Sequence, residues 1–575
     1  MISSSTQFAI GMSSVKTSIC IVGAGAAGIT LACELDGSGM EVLLLEAGGI
    51  HPDMPVDTDY IGQADEPHAN PSAFRRAGLG GTTSIWGGRC VPFDPIDFEP
   101  REHVANSGWP IPYEDVARYY PKAMQYCEAG YADFSVHSSL KRNGHPVNWI
   151  HDNDVLLERI ERYSRPTNFG KRYHRRLARS QNVTTVLYAR CTELARNARG
   201  DRVQSLTMVD RAGRRLFVQA DAFILATGGI EVPRLLLNSE RPGPGLGNRY
   251  DKVGRYYSCH FESVCACLTP GLVKPPFQFE KTLDGIYARR KLQFSRDAQL
   301  EYRLLNSTFR LHFPAYSDAR HGSSVMSTIY LAKASLIPEY ARILNHGTLR
   351  PVVSPHQAHL RNVAMGLPQL FNFGVHWLFQ RQLAHRKLPY TLVANADGSY
   401  PIEFNCEQTA LARNRISLSK EIDRHGLRRV DVHWSVCKDD VDAAYRGFLL
   451  LRDTLEKHAG CRLEFDEDEL RSQIEGSIPL GGHHLGTTRM GSTPREGVVD
   501  RNCALFEAPN LYIASSAVFP TSGHANPTLT IVALAIRLAE HLMIALSRNG
   551  SSTGILQHVI ESAKAIPYPE PATGN

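Results

Sequence analysis

The chain has 575 residues, 43% of them hydrophobic, with 63 lysines and arginines against 58 acids and a formal net charge of +5. That length buries a large core and predicts two interleaved domains, while bases and acids mixed along the chain leave no footprint for nucleic acid, so Arg75-Arg76, Arg175-Arg176 and Arg428-Arg429 read as solvated faces or neighbours of a bound phosphate. The 12 cysteines are scattered without a C-x-x-C or zinc spacing, which supports neither haem attachment, an iron–sulfur cluster nor a metal site, and predicts free thiols in a reducing compartment.

Residues 1–17 hold no basic start and no apolar run beyond Phe8-Ala9-Ile10, so they read as a flexible segment that is not a secretory signal, and a cytoplasmic location is expected. Residues 18–22 form an apolar strand that runs into Gly23-Ala24-Gly25-Ala26-Ala27-Gly28 and then into a helical pattern at 29–35. A second apolar run, 41–45, ends in Glu46 followed by Ala47. This is a complete β-α-β dinucleotide fingerprint. Gly23 allows the tight turn, Gly25 lets the backbone approach a pyrophosphate, Gly28 lets helix and sheet pack closely, and the helix start at Ala26 attracts phosphate charge. Glu46 is placed to accept from ribose hydroxyls, and the small residues after it leave room for adenosine.

Residues 78–89 place five glycines around Trp86, a run that reads as backbone pressed against a flat ligand. Gly80, Gly81, Thr82, Ser84, Trp86 and Gly87 are the expected contacts there. Residues 221–229 form another strand, ending in the small-residue turn Ala226-Thr227-Gly228-Gly229 before a helix. Gly243-Pro244-Gly245-Leu246-Gly247 has no strand feeding it and reads as a turn. One tightly held dinucleotide without a separate nicotinamide site is the simplest account, and it favours a flavin.

Between 275 and 400 the pattern is mixed. Residues 302–311 read as strand, 371–387 as an amphipathic helix that either covers the active site or makes an oligomer contact, and His346, His356, His359, His376 and His385 as surface or packing residues. Further on come His483-His484-Leu485-Gly486-Thr487 and Gly523-His524-Ala525-Asn526-Pro527-Thr528. An imidazole accepts a proton and a carboxamide donates to the oxygen left behind, so the two can hold an alcohol. Each cluster alone reads equally as a polar loop or a helix entry. Residues 528–546, interrupted by Arg537, Glu540 and His541, read as an amphipathic terminal helix rather than a membrane span.

With these residues in view, the chain from about 18 to 546 resembles the glucose-methanol-choline family of FAD-dependent oxidoreductases. The likeness includes Val253-Gly254-Arg255 with His260, Glu407-Gln408, the stretch 414–418, Asp423 with Gly426, and 510–514. H-x-x-G-T-x-R-M-G together with A-N-P-T-L-T is similar to the pyranose oxidase, glycoside 3-oxidase and sugar dehydrogenase branch. The resemblance implies His483 as catalytic base and Asn526 as its partner. His484 falls on a variable position of the motif and His524 stands two residues before the partner site.

It also implies an α/β fold, a Rossmann-like doubly wound FAD domain (18–258 and 497–548) interleaved with a substrate domain (259–496) on a large antiparallel sheet, and a tail at 549–575. Pro527 and Thr528 join Asn526 against the cofactor. Where relatives carry D-A-S this chain has Ala514-Ser515-Ser516, so Ser515 and Ser516 are expected to bond FAD without the usual carboxylate. Where some pyranose oxidases attach FAD through the histidine of S-T-H-W, Ile85 stands, so FAD is expected to be non-covalent. The implied reaction oxidises a secondary hydroxyl of a sugar, glycoside or polyol, with oxygen or a quinone-like acceptor. Alternatives are a dehydrogenase of an aminoglycoside or cyclitol-like alcohol using a non-oxygen acceptor, and a non-redox lyase of the hydroxynitrile lyase type.

Overall fold

The computed structural model describes residues 1–8, 12–51, 58–140, 150, 152–240, 242–271, 278–334, 353–389, 393–479 and 482–547. His346 and the predicted tail at 549–575 lie outside them. Two nine-stranded sheets organise the described residues. In the first, the strand Ser14–Val22 lies between Val42–Glu46 and Arg215–Leu225, all parallel, with Ile19 opposite Val42 on one side and Ala222 on the other. All five residues of Val42–Glu46 are buried, as expected of a parallel strand covered on both faces. Val183–Leu187 and Ala508–Ile513 extend the sheet, so segments far apart in sequence complete one layer.

The helix Ala26–Glu34 packs against the terminal helix Thr528–Ser547. The terminal helix is long and apolar enough to cross a membrane, but 67% of its most apolar window is buried inside the protein, where it acts as a core helix.

The second sheet is antiparallel and runs through Arg462–Glu464, Phe261–Thr269, Tyr400–Cys406, Ser307–Leu311, Tyr287–Phe294, Val155–Tyr163 and Arg89–Cys90. All eight residues of Tyr287–Phe294 are buried, among them Arg289, Arg290 and Lys291. Burying such charges is costly unless they are paired. Glu161 lies 3.4 Å from Arg289 and also 2.8 Å from Arg310 of the neighbouring strand, while Glu280 lies 2.8 Å from Arg290. The α/β class, with a doubly wound layer interleaved with an antiparallel sheet, is the one the sequence implies.

Several sequence expectations change. The described ends of the segment 1–17 are not flexible: Ile2–Ser4 pairs parallel with Val183–Leu187, the Met1 amino group donates to the Val183 carbonyl at 2.8 Å, and the central strand already begins at Ser14. Nor do the sheets divide at 258. Arg89–Cys90 and Val155–Tyr163 belong to the antiparallel sheet, because their backbone partners are each other and Tyr287–Phe294.

The helix Leu367–Trp377 has no buried residue and Phe371 is 72% exposed, although Ser324 donates to its Gln369 at 3.1 Å. Only the base of its segment meets the sheet, where Tyr287 donates to Gln380 at 3.0 Å and Arg386 donates to the Tyr163 carbonyl at 3.1 Å. His359 is a packing residue, bonded to Ser327 and stacked on Tyr330, whereas His356, His376 and His385 are exposed.

Candidate active site

A cavity of about 620 Å³ lies where the two sheets meet. Its walls include Gly23, Gly25, Ala26, Glu46 and Ala47 from the fingerprint, and Gly81, Thr82, Trp86 and Gly87 from the glycine loop. Ala226, Thr227 and Gly228 from the third strand end line it, as do Ser515, Ser516, Asn526, Pro527 and Thr528 near the terminal helix, and His483.

Three expected contacts are not on the wall. Gly28 sits behind the loop, where an added Cβ would lie 1.9 Å from the Gly23 carbonyl oxygen, so it lets helix and strand close up. The Gly80 amide donates to the Ala24 carbonyl at 2.8 Å, which ties the two glycine loops together. Ser84 spends its hydroxyl on the Gly81 carbonyl at 2.9 Å. Two of these residues shape the loops and the third caps a turn.

The wall has room and chemistry for a dinucleotide. An added Cβ at Gly25, Gly87 or Gly228 would meet nothing within 4 Å, so these backbone edges face space that a ligand fills. Among the described residues the buried Thr227 hydroxyl has no hydrogen-bond partner, as expected for a group meant for a ligand. Glu46 is more committed than the sequence implies: its carboxylate accepts from the amides of Ala24, Gly48 and Gly78 at 2.8 to 2.9 Å. Its first job is to hold three turns of the cradle. The two serines are similarly engaged, because Ser516 donates to the His484 carbonyl at 2.6 Å and Ser515 accepts from the Ala517 amide at 3.1 Å.

His483 and Asn526, 43 residues apart, meet on the wall, with Asn526 Nδ2 at 3.0 Å from His483 Nε2. The histidine loop is pinned from both sides. Leu485 and Ser258 exchange backbone hydrogen bonds at 3.0 and 3.1 Å, and the Thr487 hydroxyl donates to the Gly229 carbonyl at 2.6 Å. Asn526 immediately precedes the turn into the helix Thr528–Ser547, where the Ile531 amide bonds the Pro527 carbonyl at 2.8 Å. Burial, reinforced by His260 and Arg89, holds the His483 imidazole well below its ordinary pKa and therefore neutral.

Position separates His524, but not His484, from the cavity. His484 also lines the cavity, with its ring 6.1 Å from that of Tyr257. His524 is off the wall, its Nε2 2.9 Å from Lys291 Nζ and 3.0 Å from an Asp94 oxygen. Burial works to raise Asp94, but His524, Lys291 and Arg159 outweigh it and hold the carboxyl well below the usual range. This is a structural ion cluster behind Asn526.

Residues the sequence reading passed over complete the wall: Arg89, Glu262, His312 and Glu403. Burial and the neighbouring Glu403 push the Glu262 carboxyl up. Arg89 closes the quoted glycine loop and Glu262 follows the quoted His260 by two residues, but His312 and Glu403 carry no motif. His260, Glu262 and His483 bring ring nitrogens and a carboxylate oxygen within 4.8 Å of one another. The two histidines meet Nδ1 to Nδ1 at 2.7 Å, a hydrogen-bond length and shorter than the roughly 3.3 Å that two nitrogens keep on a tetrahedral zinc.

Residues 410–535, which hold both His483 and Asn526, match the family model described as GMC oxidoreductase. Over that segment the chain is similar to the GMC oxidoreductases, as the sequence resemblance implied. Over 92% of its length and 95% of the relative's, it is 22% identical to a 2-methyl-1,2-propanediol dehydrogenase of Mycolicibacterium austroafricanum. Over 160 residues, 26% of this chain and 29% of the relative, it is 41% identical to a C-glycoside 3-oxidase of Arthrobacter globiformis. The fold matches the formate oxidase of Aspergillus oryzae RIB40 at a TM-score of 0.52 and 16% identity, covering 94% of this chain and 99% of that one.

Together with the cradle, these likenesses make the chain an FAD-dependent oxidoreductase acting on alcohol groups. Ile85 on the cavity wall has no atom to bond FAD, which is consistent with non-covalent binding.

Proposed function

We propose that the chain oxidises a secondary hydroxyl of a sugar, glycoside or polyol to a ketone, with His483 as base and Asn526 as oxygen partner. The observation that carries this reading is the 3.0 Å contact of Asn526 Nδ2 with His483 Nε2 on a wall shared with the dinucleotide cradle. A substrate hydroxyl that displaces the amide N–H from Nε2 gives its proton to that nitrogen, while the freed N–H steadies the developing alkoxide. FAD, when bound, supplies the two-electron acceptor for the carbinol hydrogen. Gly25, Gly87, Thr227 and Gly228 would hold it.

The remaining wall favours a polyhydroxyl substrate, since Arg89, Glu262 and Glu403 offer a dense donor and acceptor set. The carboxylates also favour a second reading in which the sugar carries an amino group. A cytoplasmic setting is part of the proposal and is supported by the 12 unpaired cysteines.

Two measurements test this. Anaerobic mixing with a panel of glycosides, amino sugars and polyols is expected to bleach the flavin, and NMR of the product to show a ketone at a ring carbon. Failure of every such alcohol, with cleavage of a cyanohydrin, would overturn the oxidation. Because burial, His260 and Arg89 depress the His483 pKa, the neutral base persists as pH falls through the ordinary histidine value of about 6.5. The limiting rate of flavin reduction is expected to stay level from about pH 8 to about pH 6 and to fall only in stronger acid. A profile that halves near pH 6.5 would contradict it.

A further inference from the structure

The reading of His483 as base leaves open which of its two ring nitrogens carries hydrogen. A base facing a hydroxyl needs a bare nitrogen on that side, and a neutral imidazole has one bare and one protonated. Which is which depends on the partners.

His260 is fully buried and immediately precedes the strand Phe261–Thr269. Its Nε2 lies 3.1 Å from the Ser522 carbonyl oxygen. A carbonyl only accepts, so Nε2 carries the hydrogen. Burial keeps this ring neutral, pushing its pKa down to about 3. Its Nδ1 is then a bare lone pair, aimed at His483 Nδ1 2.7 Å away. The only arrangement that makes this contact a hydrogen bond has His483 Nδ1–H donating.

The opposite flank gives the same answer independently. Arg89, a donor only, lies 3.5 Å from Asn526 Oδ1, which assigns the amide oxygen to the arginine and turns the Asn526 NH2 toward His483. An NH2 donates, so His483 Nε2 must accept. Both ends of the chain Arg89, Asn526, His483, His260, Ser522 therefore demand one tautomer. Ser522 and Asn526 belong to the same short loop, so that loop braces the histidine pair from both sides. The Ser522 hydroxyl accepts from the Gln408 amide at 2.9 Å and fixes the loop in turn.

We propose that His260 is a positioning residue that locks His483 in the Nδ1–H tautomer, leaving Nε2 bare toward the substrate hydroxyl. It touches neither the reacting carbon nor its oxygen. The inference rests on the proposed role of His483 only for its effect on rate; the tautomer itself is a property of the resting protein.

The test separates the two. In the FAD-loaded enzyme, with histidine ¹⁵N-labelled and the His483 signals assigned by their loss in His483→Ala, Nδ1 is expected to be protonated and Nε2 bare. His260→Gln keeps an acceptor for His483 and a donor for Ser522, so it is expected to keep the tautomer and most of the rate. His260→Leu is expected to lose the tautomer preference and to slow flavin reduction on the order of 10–100-fold, with substrate binding little changed.

A bare Nδ1 on His483 in the wild-type protein overturns the inference, as does a rate for His260→Leu equal to that of His260→Gln. Should His260→Leu fail to fold, the wild-type tautomer and the His260→Gln rate still decide it. Unchanged reduction in His483→Ala would instead remove the base assignment and leave the tautomer result standing.

Discussion

Replacing His483 by alanine is expected to slow anaerobic flavin reduction by about 10²–10⁴-fold while FAD stays bound. That range corresponds to roughly 3–5 kcal/mol of lost transition-state stabilisation. The cofactor should survive because the cradle is built elsewhere, from the turns that Glu46 ties together and from the Ala226 to Gly228 corner. The loop should survive because its anchors are the backbone bonds of Leu485 to Ser258 and the Thr487 hydroxyl on Gly229, none of which uses the imidazole. His524 provides the contrast. It is off the cavity wall and engaged with Lys291 and Asp94, so it is poorly placed to substitute. Stopped-flow bleaching of His483→Ala with the best substrate decides the matter, and a wild-type rate would move the base to another residue.

A second large effect is expected at the fingerprint, where two glycines of one loop should fail in different ways. At Gly28 an added methyl would stand 1.9 Å from the Gly23 carbonyl oxygen, a backbone atom that cannot swing aside. Gly28→Ala must therefore push the helix Ala26–Glu34 off the sheet, at a cost of at least about 1–3 kcal/mol. The expected protein is less stable even without cofactor and contains little flavin. At Gly25 the added methyl meets nothing within 4 Å and enters the cavity. Gly25→Ala should leave the melting temperature of the apoprotein unchanged and weaken FAD binding alone. Melting curves of both apoproteins, with FAD titrations followed by fluorescence, check this. Gly28→Ala purified yellow with an unchanged Tm would refute the close-packing argument.

The same residues show how far sequence reading reaches. The fingerprint was legible because its demands are local: a turn, a close approach and a helix start occupy consecutive positions. Glu46 was legible as an acid at a strand end, but its engagement with Ala24, Gly48 and Gly78 was not, since two of those amides lie in other turns. Ser84 looked like a contact because it lies in the glycine loop, yet its hydroxyl turns inward to Gly81. The pairing of Ile2–Ser4 and the reach of the antiparallel sheet across 258 were missed for one reason: strand pairing joins residues across long separations, and neither Ile2–Ser4 nor Arg89–Cys90 carries a pattern that names its partner.

By itself, the sequence carried the dinucleotide fingerprint, because spacing within a few consecutive residues dictates it, while the family resemblance implied the flavin and the His483 and Asn526 pair. Only the tertiary structure shows that the pair meets and that His524 stands off the wall, and it supplies the contacts from which the bare nitrogen of His483 is inferred. His260 lies 223 residues from His483, and Ser522 lies 262 residues from His260. A hydrogen bond is set by distance and direction in space, and no local pattern in the chain encodes the contact that fixes that proton.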